Sequence, residues 1–500
     1  MSARVEIKEL MNQSGVKFGT SGARGLVSQM TDSVCAAYTT AFLEHLKDSY
    51  GLSSGTPVVI GGDRRPSTPR IMRAVASAAT RLGYRVENAG LVPSPAVALR
   101  GLQNKCPAIM VTGSHIPDDR NGIKFNTPQG EVTKADEAGM LSRSVSIPDA
   151  YDASGMLTSE EEKGAGLGVE NSEAIEAYRR RYLEVFPKDC LRGVKLGVYG
   201  HSAVGRDFFV SLYEALGAEV TKLGFSEKFI PVDTEAIRPE DSELAARWAK
   251  DQPLDSIVSS DGDSDRPLTS DENGKWIRGD VSGILTAKYL GADAVATPVS
   301  CNTAVEKAGT FARVVRTRIG SPFVIAGMEE AASSGATGIV GYEANGGFLT
   351  QTSLSIGDAQ LPALPTRDAV IVHLALLLSA KAQGLSLSRI LESLPTRYTS
   401  SDRDQSFAQE RSAELLAKLA SLSENEVPSA FGLGKLLSVD TTDGRRMTFQ
   451  EGESEVVVHL RPSGNAPELR CYAEADTEAR SLELVAIGLE KAALLAPSAS

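Results

Sequence analysis

Cysteine is scarce in this chain, five in 500 residues, at positions 35, 106, 190, 301 and 471. The count is odd and no two form a C-x-x-C pair, which argues against a disulfide framework and for buried free thiols in a reducing compartment. Long apolar runs are also missing. The longest, around Ala369–Ser379, is too short to cross a bilayer and contains His373. Glu6, Lys8 and Glu9 interrupt the apolar start that a signal peptide would need, so a cytoplasmic protein is expected. Nor is positive charge in excess. Lys and Arg number 52 against 64 Asp and Glu, a net −12, which speaks against nucleic acid or an anionic membrane as partner. A phosphate-bearing ligand would have to be met by local clusters of Arg and Lys. The remaining composition is that of an ordinary globular enzyme. Such a length is too great for one core and suggests about three or four domains.

Against these absences one segment stands out, Asp261-Gly262-Asp263-Ser264-Asp265-Arg266. Alternating acidic residues in a loop can converge on one point, and carboxylates so close repel unless a hard cation sits among them. The calcium-hand pattern is matched at Asp261, Asp263, Asp265 and Glu272, but its sixth position requires Gly and holds Arg266. Ser256–Ser259 before it reads as a strand rather than the end of a helix. An oxygen-liganded magnesium site fits better than a calcium hand or a merely solvated turn. Arg266 adds a fixed cation suited to a phosphate sharing the site.

The chain repeats a layout weakly. A strand Pro57–Gly61, a helix ending at Gly83 and a strand Tyr84–Asn88 return as Lys195–Tyr199, a helix ending at Gly217 and Glu219–Leu223. A shorter version runs from Ala292–Thr297 to Ala312–Gly320. Three βαβ units in series point to three α/β domains with mostly parallel sheets. The tail differs: Lys435–Thr442, Arg446–Gln450, Glu455–Leu460 and Leu469–Ala473 read as strands, with Asp443-Gly444 a hairpin turn and a helix over 477–495. That is an antiparallel α+β domain. Ser154–Gly168 and Gly384–Thr399 read as linker or lid segments.

Four further stretches carry candidate chemistry. Thr112-Gly113-Ser114-His115, running on to Lys124, follows a strand Ala108–Val111, so Ser114 falls where active sites gather at a strand's carboxyl end. It is not the hydrolase elbow, because Ile116 stands where the second Gly should be. Lys17–Gly25 combines glycines with Arg24 but fits neither a Walker loop nor a dinucleotide fingerprint. Gly341–Phe348 offers Glu343 and Asn345 on a turn. Arg461–Arg470 brings Arg461, Ser463, Gly464, Asn465 and Arg470 between two strands, a credible phosphate nest. Each of these alone is matched by a plain structural turn.

In order and spacing, these motifs resemble the α-D-phosphohexomutase family over nearly the whole chain. The metal and serine loops are the most specific of them. The resemblance implies three similar α/β domains with mixed, mostly parallel sheets plus a C-terminal α+β domain with an antiparallel sheet, around a central cleft. The boundaries expected are 1–160 with the serine loop, 161–276 with the metal loop, 277–385 with a sugar-binding loop and 386–500 with a phosphate loop. It implies an isomerase that moves a phosphoryl group between the 1- and 6-positions of a hexose, with Mg²⁺ and a hexose 1,6-bisphosphate activator. Ser114 would be the phosphoserine and complete a magnesium shell with Asp261, Asp263 and Asp265. Arg24, His115 and Lys124 would be the catalytic cations. Arg266, Arg318, Glu343, Asn345, Arg461, Ser463, Gly464, Asn465 and Arg470 would bind substrate. A monomer or homodimer acting on small hexose phosphates is expected.

Two departures bear on that expectation. The family's sugar loop reads Glu-x-Ser-Gly-His, and here Glu343 is followed by Ala-Asn-Gly-Gly, so a ring is missing at Gly347. Its phosphate loop reads Ser-Gly-Thr-Glu-Pro, and here Asn465-Ala466 replaces Thr-Glu; Asn still donates a hydrogen bond. A phosphoserine with three carboxylates and Mg²⁺ would carry roughly −3 in total. Two like charges about 4 Å apart cost on the order of 4 kcal/mol at an effective dielectric near 20, so Arg24, Lys124 and Arg266 are required to admit a second phosphate. The activity expected is phosphomannomutase, with phosphoglucomutase or dual specificity as the alternative. A phosphoserine phosphatase and a non-catalytic sugar-phosphate binder are the weaker readings.

Overall fold

The computed structural model describes residues 3–19, 22–158, 166–463 and 467–496. Two compact units emerge, one formed by residues 1–292 and 337–390, the other by 293–336 and 391–500.

The first unit contains two mixed sheets built from the repeats seen in the sequence. In one, Pro57–Gly62 pairs in parallel with Arg85–Leu91 on one side and Ala108–Val111 on the other. Ala108–Val111 then continues antiparallel into Arg120–Thr127, which pairs with Gly22–Leu26. The helices Asp32–Tyr50 and Thr68–Arg81 cover it, burying Phe42, Leu46, Ile71 and Val75 against Ile60, Ile109 and Phe125. Thr31 caps the first by accepting from Val34 N, and Gly51, in the left-handed region, ends it. In the other sheet Lys195–Tyr199 pairs in parallel with Glu219–Leu223 and Ser256–Ser260, and Pro267–Ser270 returns antiparallel. Parallel centres with antiparallel flanks place two hairpin turns, 112–119 and 261–266, at carboxyl ends of central strands. Ile339–Tyr342 and Phe348–Thr350 form a third hairpin, backed by helices Gly279–Tyr289 and Ala369–Gln383.

In the second unit, Ala294–Pro298 and Arg313–Thr317 pair in parallel beside helix Ser321–Ser333. The tail is a five-stranded antiparallel sheet in the order Tyr398–Asp404, Leu469–Ala475, Ser454–Pro462, Arg445–Glu451, Leu436–Asp440, packed against helix Glu478–Leu495. Four strands fall where the alternation predicts them, and Gly444 takes φ +82 in the predicted Asp-Gly turn. The fifth is a correction: part of the expected linker 384–399 is the helix Leu387–Leu391 and the start of strand Tyr398–Asp404. That strand's exposed, charged alternation at a sheet edge hides it from a reading by hydrophobicity. Within the other expected linker, residues 159–165 lie outside the described residues.

Candidate active site

Ser114 lies in the turn between Ala108–Val111 and Arg120–Thr127 with φ +59, a left-handed conformation that a non-glycine residue adopts at a cost of roughly 1–3 kcal/mol. Several contacts hold it there. Its N–H donates to Thr112 Oγ1 at 2.8 Å, and its carbonyl accepts from Arg65 Nη2 at 2.8 Å. Arg65 also donates to the carbonyl of Pro117 at 2.8 Å and to Asp63 Oδ2 at 3.0 Å. Asp63 in turn accepts from Thr68 and Thr112 hydroxyls at 2.7 and 2.6 Å. Burial lifts the Asp63 carboxyl above its usual range despite Arg65 beside it. A side chain at Gly113 would meet the Arg65 guanidinium at 2.7 Å, which explains the glycine next to the serine.

The acidic loop lies between Ser256–Ser260 and Pro267–Ser270, and Ser264 at its tip is likewise left-handed, φ +58. Asp261, Asp263 and Asp265 are buried, with one oxygen from each within 4.8 Å of the others. Ser114 Oγ donates to Asp261 Oδ2. Asp263 Oδ1 and Asp265 Oδ1 are buried with no hydrogen-bond partner among the described residues. An all-oxygen donor set with orphaned, buried carboxylate oxygens fits a hard divalent cation. Burial and the neighbouring charges of Asp263 and Asp265 push the Asp261 carboxyl far above its ordinary range. Burial would lift Asp263 too, but the Lys124 ammonium holds it well below.

Cations surround this cluster. Lys124 donates to Asp263 and Asp265 at 2.6 Å each, and those carboxylates raise its pKa against the opposing effect of burial. Arg266 stands 4.0 and 3.8 Å from Asp261 and Asp265 and donates to His115 Nδ1 at 2.9 Å. Since Arg only donates, that nitrogen is the acceptor and Nε2 carries the proton, 3.8 Å from Asp233. Burial and Arg266 push His115 down to about 3, so its ring is neutral. The side chain of Arg24, which stands opposite Gly122 in strand register, has no ion pair or hydrogen bond with any described residue. Burial and repulsion from Arg266, Arg65 and Arg367 lower it to about 10. A cation so situated favours an incoming anion.

Glu343 and Asn345 occupy the turn after Ile339–Tyr342. Glu343 accepts from Arg367 Nε at 2.8 Å, and Asn345 Oδ1 accepts from Gly347 N at 2.9 Å. In the second unit, Arg461 donates to Asp443 at 2.8 Å and Arg318 lies 3.9 Å from the same carboxylate. Arg470 faces Arg461 across the strand register and is held by Glu468. Ser463 N donates to Glu468 O at 2.9 Å, while Gly464 and Asn465 lie outside the described residues.

Family models for phosphoglucomutase/phosphomannomutase match the chain at three places: α/β/α domain I over residues 15–147, α/β/α domain III over 278–398 and the C-terminal domain over 409–487. The chain belongs to the α-D-phosphohexomutase family. It is 43% identical over 479 residues to a phosphomannomutase of Salmonella muenchen, covering 95% of each chain. To a phosphomannomutase of Sinorhizobium fredii it is 42% identical, covering 95% of this chain and 98% of the other. The fold is shared with a phosphoglucomutase/phosphomannomutase family protein of Burkholderia thailandensis (TM-score 0.70, 21% identity, 96% and 98% covered). It is shared too with the open form of parafusin, a phosphoglucomutase of Paramecium (TM-score 0.72, 17% identity, 96% and 95% covered).

Within the first unit, the structure brings Ser114, His115, Lys124, Arg24, the three aspartates and Arg266 together. Sequence reasoning missed Asp63, Arg65, Ser94 and Arg367. Ser94 donates to Asp263 Oδ2 at 2.5 Å, and its N–H to Asp263 O at 2.9 Å. A signal for the first pair was available: Gly61-Gly62-Asp63-Arg64-Arg65 is a charged turn at a strand's carboxyl end. For Arg367 it was the Arg-Asp pair opening the strongly apolar helix Ala369–Gln383.

Proposed function

We propose that this chain is a phosphohexomutase interconverting hexose 1-phosphate and hexose 6-phosphate through phosphorylated Ser114 and a hexose 1,6-bisphosphate. Mannose phosphates are the proposed preferred substrates, supported by full-length relatives named phosphomannomutase. The observation that carries the reading is a serine hydroxyl held against a buried triad of carboxylates with lysine bridging two of them.

In the forward half-reaction, the bond from phosphorus to Ser114 Oγ breaks as one forms to the free hydroxyl oxygen of the sugar phosphate, whose proton passes to a side chain. Magnesium held by Asp261, Asp263, Asp265 and an oxygen on Ser114 would supply positive charge at the transferring group. Lys124 starts as an ammonium because Asp263 and Asp265 hold its proton against burial. Where the charge of those carboxylates is compensated, burial favours the neutral amine: Lys124 gives up its own proton to solvent and is then the group that takes and returns the hydroxyl proton. His115, neutral to about pH 3, serves through hydrogen bonds. Arg24 and Arg266 meet the phosphoryl oxygens, and Glu343 and Asn345 meet sugar hydroxyls. Arg461, Ser463, Gly464, Asn465 and Arg470, with Arg318, are assigned the phosphate that stays on the sugar; Asp443 and Glu468 fixing the guanidiniums supports this. Free hexose 1,6-bisphosphate would restore phosphate to Ser114 after any loss.

Trypsin releases residues 106–120, and the mass of that peptide reads phosphate on Ser114. Adding mannose 1-phosphate with Mg²⁺ and hexose bisphosphate is expected to exchange that phosphate. Ser114→Ala should abolish both label and interconversion; a fully active variant would defeat the assignment.

A further inference from the structure

Arg367 stands among three carboxylates that belong to different elements. Its Nε donates to Glu343 Oε2 at 2.8 Å, and its Nη1 lies 3.7 Å from Asp265 Oδ2 and 4.0 Å from Glu131 Oε1. The latter two distances are ion-pair separations, too long for hydrogen bonds. The side chain is only 3% exposed. Its two terminal nitrogens donate to no described residue, yet neither is among the donors sealed away without a partner, as Arg397 Nη2 is. A buried guanidinium that spends one of its five donors is poorly explained by stability alone, because burying a charge is costly unless its donors are used.

The surroundings hold that geometry fixed. Asp368, the next residue, caps helix Ala369–Gln383 by accepting from Val370 N, and also accepts from the hydroxyls of Tyr178 and Tyr182. Its own N–H donates to Phe348 O at 2.9 Å. Thr366, on the other side, donates to Glu131 at 2.9 Å. Space for the side chain is provided by Gly347, where a Cβ would come within 2.6 Å of Arg367 Cδ and 2.9 Å of Cγ. A rigid backbone, an emptied neighbouring position and two terminal nitrogens with unused donors between the 343–347 turn and the metal loop describe a preorganised ligand contact.

We infer that Arg367 is a substrate-binding residue: Nε sets the Glu343 carboxylate, and the terminal nitrogens take an oxygen of the hexose phosphate between Glu343 and Asp265. This rests on the proposed hexose-phosphate site. By this arrangement the sugar is fixed by the same side chain that faces the metal loop, so ring position and phosphoryl transfer are coupled. Lysine cannot replace it fully, since one ammonium cannot reach both carboxylates and the sugar in a planar fork.

The test uses Arg367→Met, Arg367→Lys and Gly347→Ala in the full chain. The last displaces the Arg stem while keeping every charge. Steady-state kcat and KM are measured for mannose 1-phosphate and glucose 1-phosphate, and calorimetry measures mannose 1-phosphate binding with Ser114→Ala as background. Arg367→Met is expected to lower kcat/KM and weaken binding roughly ten- to hundredfold, the range for a hydrogen bond to a charged group, and to change the ratio between the two sugars. Arg367→Lys should recover part of the binding, and Gly347→Ala should shift binding in the same direction as Arg367→Met. Binding and sugar ratio within twofold of wild type in both Arg367→Met and Gly347→Ala would overturn the inference. Wild type that binds and converts neither sugar would instead overturn the mutase reading.

Discussion

A serine cannot sit with φ +59 unless its surroundings hold it there, and the group that does so is the Asp63–Arg65 pair, both side chains 0% exposed. Arg65 ties together the carbonyls of Ser114, Pro117 and Arg120, and its face covers the Phe229 ring at 4.1 Å. Removing one partner of such a buried pair leaves an uncompensated charge, a loss of about 3–5 kcal/mol. Arg65→Met is therefore expected to lower the unfolding free energy measured by urea titration by that order and to reduce phosphorylation of Ser114. The double variant Asp63→Asn/Arg65→Met should recover much of the stability but little of the phosphorylation, since the carbonyls that order the turn stay unpaired. Equal recovery of both would show that the pair acts only on stability.

At the scale of elements, the serine and metal turns meet backbone to backbone. A Cβ on Gly262 would lie 2.6 Å from Ser114 O, and the obstacle is a carbonyl that its own hydrogen bond from Arg65 prevents from yielding. Gly262→Ala is expected to cost about 1–3 kcal/mol by overpacking and to lower kcat/KM disproportionately, because it parts Ser114 Oγ from Asp261. A thermal shift without a kinetic loss would contradict this. What the sequence disclosed follows the same division. Residues with local signatures were legible: the acidic alternation of Asp261–Asp265, the strand Ala108–Val111 that presents Ser114, the Asp-Gly turn at 443. Residues whose meaning lies in a distant partner were not. Arg367 is 24 positions from Glu343 and 102 from Asp265, and the Arg-Asp pair that opens its helix marks the position without pointing to either partner. The charged edge strand Tyr398–Asp404 escaped for a similar reason, since only its register with Leu469–Ala475 makes it a strand.

Across the whole molecule, four of the five histidines are pushed down from their ordinary value, chiefly by burial: His115 and His373 to about 3, His201 and His459 to about 4. They are distributed over both units, and their roles are local, as in the hydrogen bonds His373–Tyr213 and His459–Asp443. Their combined effect is a pH dependence of stability. In the unfolded chain each titrates near 6.5, so as pH falls below that value the unfolded state gains protons that the folded state refuses. Stability is thus fully present above about pH 6.5 and is lost progressively toward the folded values. Each net proton contributes a slope of about 1.4 kcal/mol per pH unit. Carboxyl groups with raised values, Asp261, Glu44 and Asp63 among them, work in the opposite direction. Depressed carboxylates such as Asp136 act only below about pH 4. The fall between about pH 6.5 and 5.5 is assigned to histidine, the one side chain whose ordinary value lies in that range. The urea midpoint is expected to fall on acidification from pH 7 to 5.5, and His459→Gln should flatten that fall by about one proton's worth whatever it does to stability at pH 7. A midpoint unchanged over that interval would mean that the buried imidazoles take up protons as readily in the folded chain as in the unfolded one.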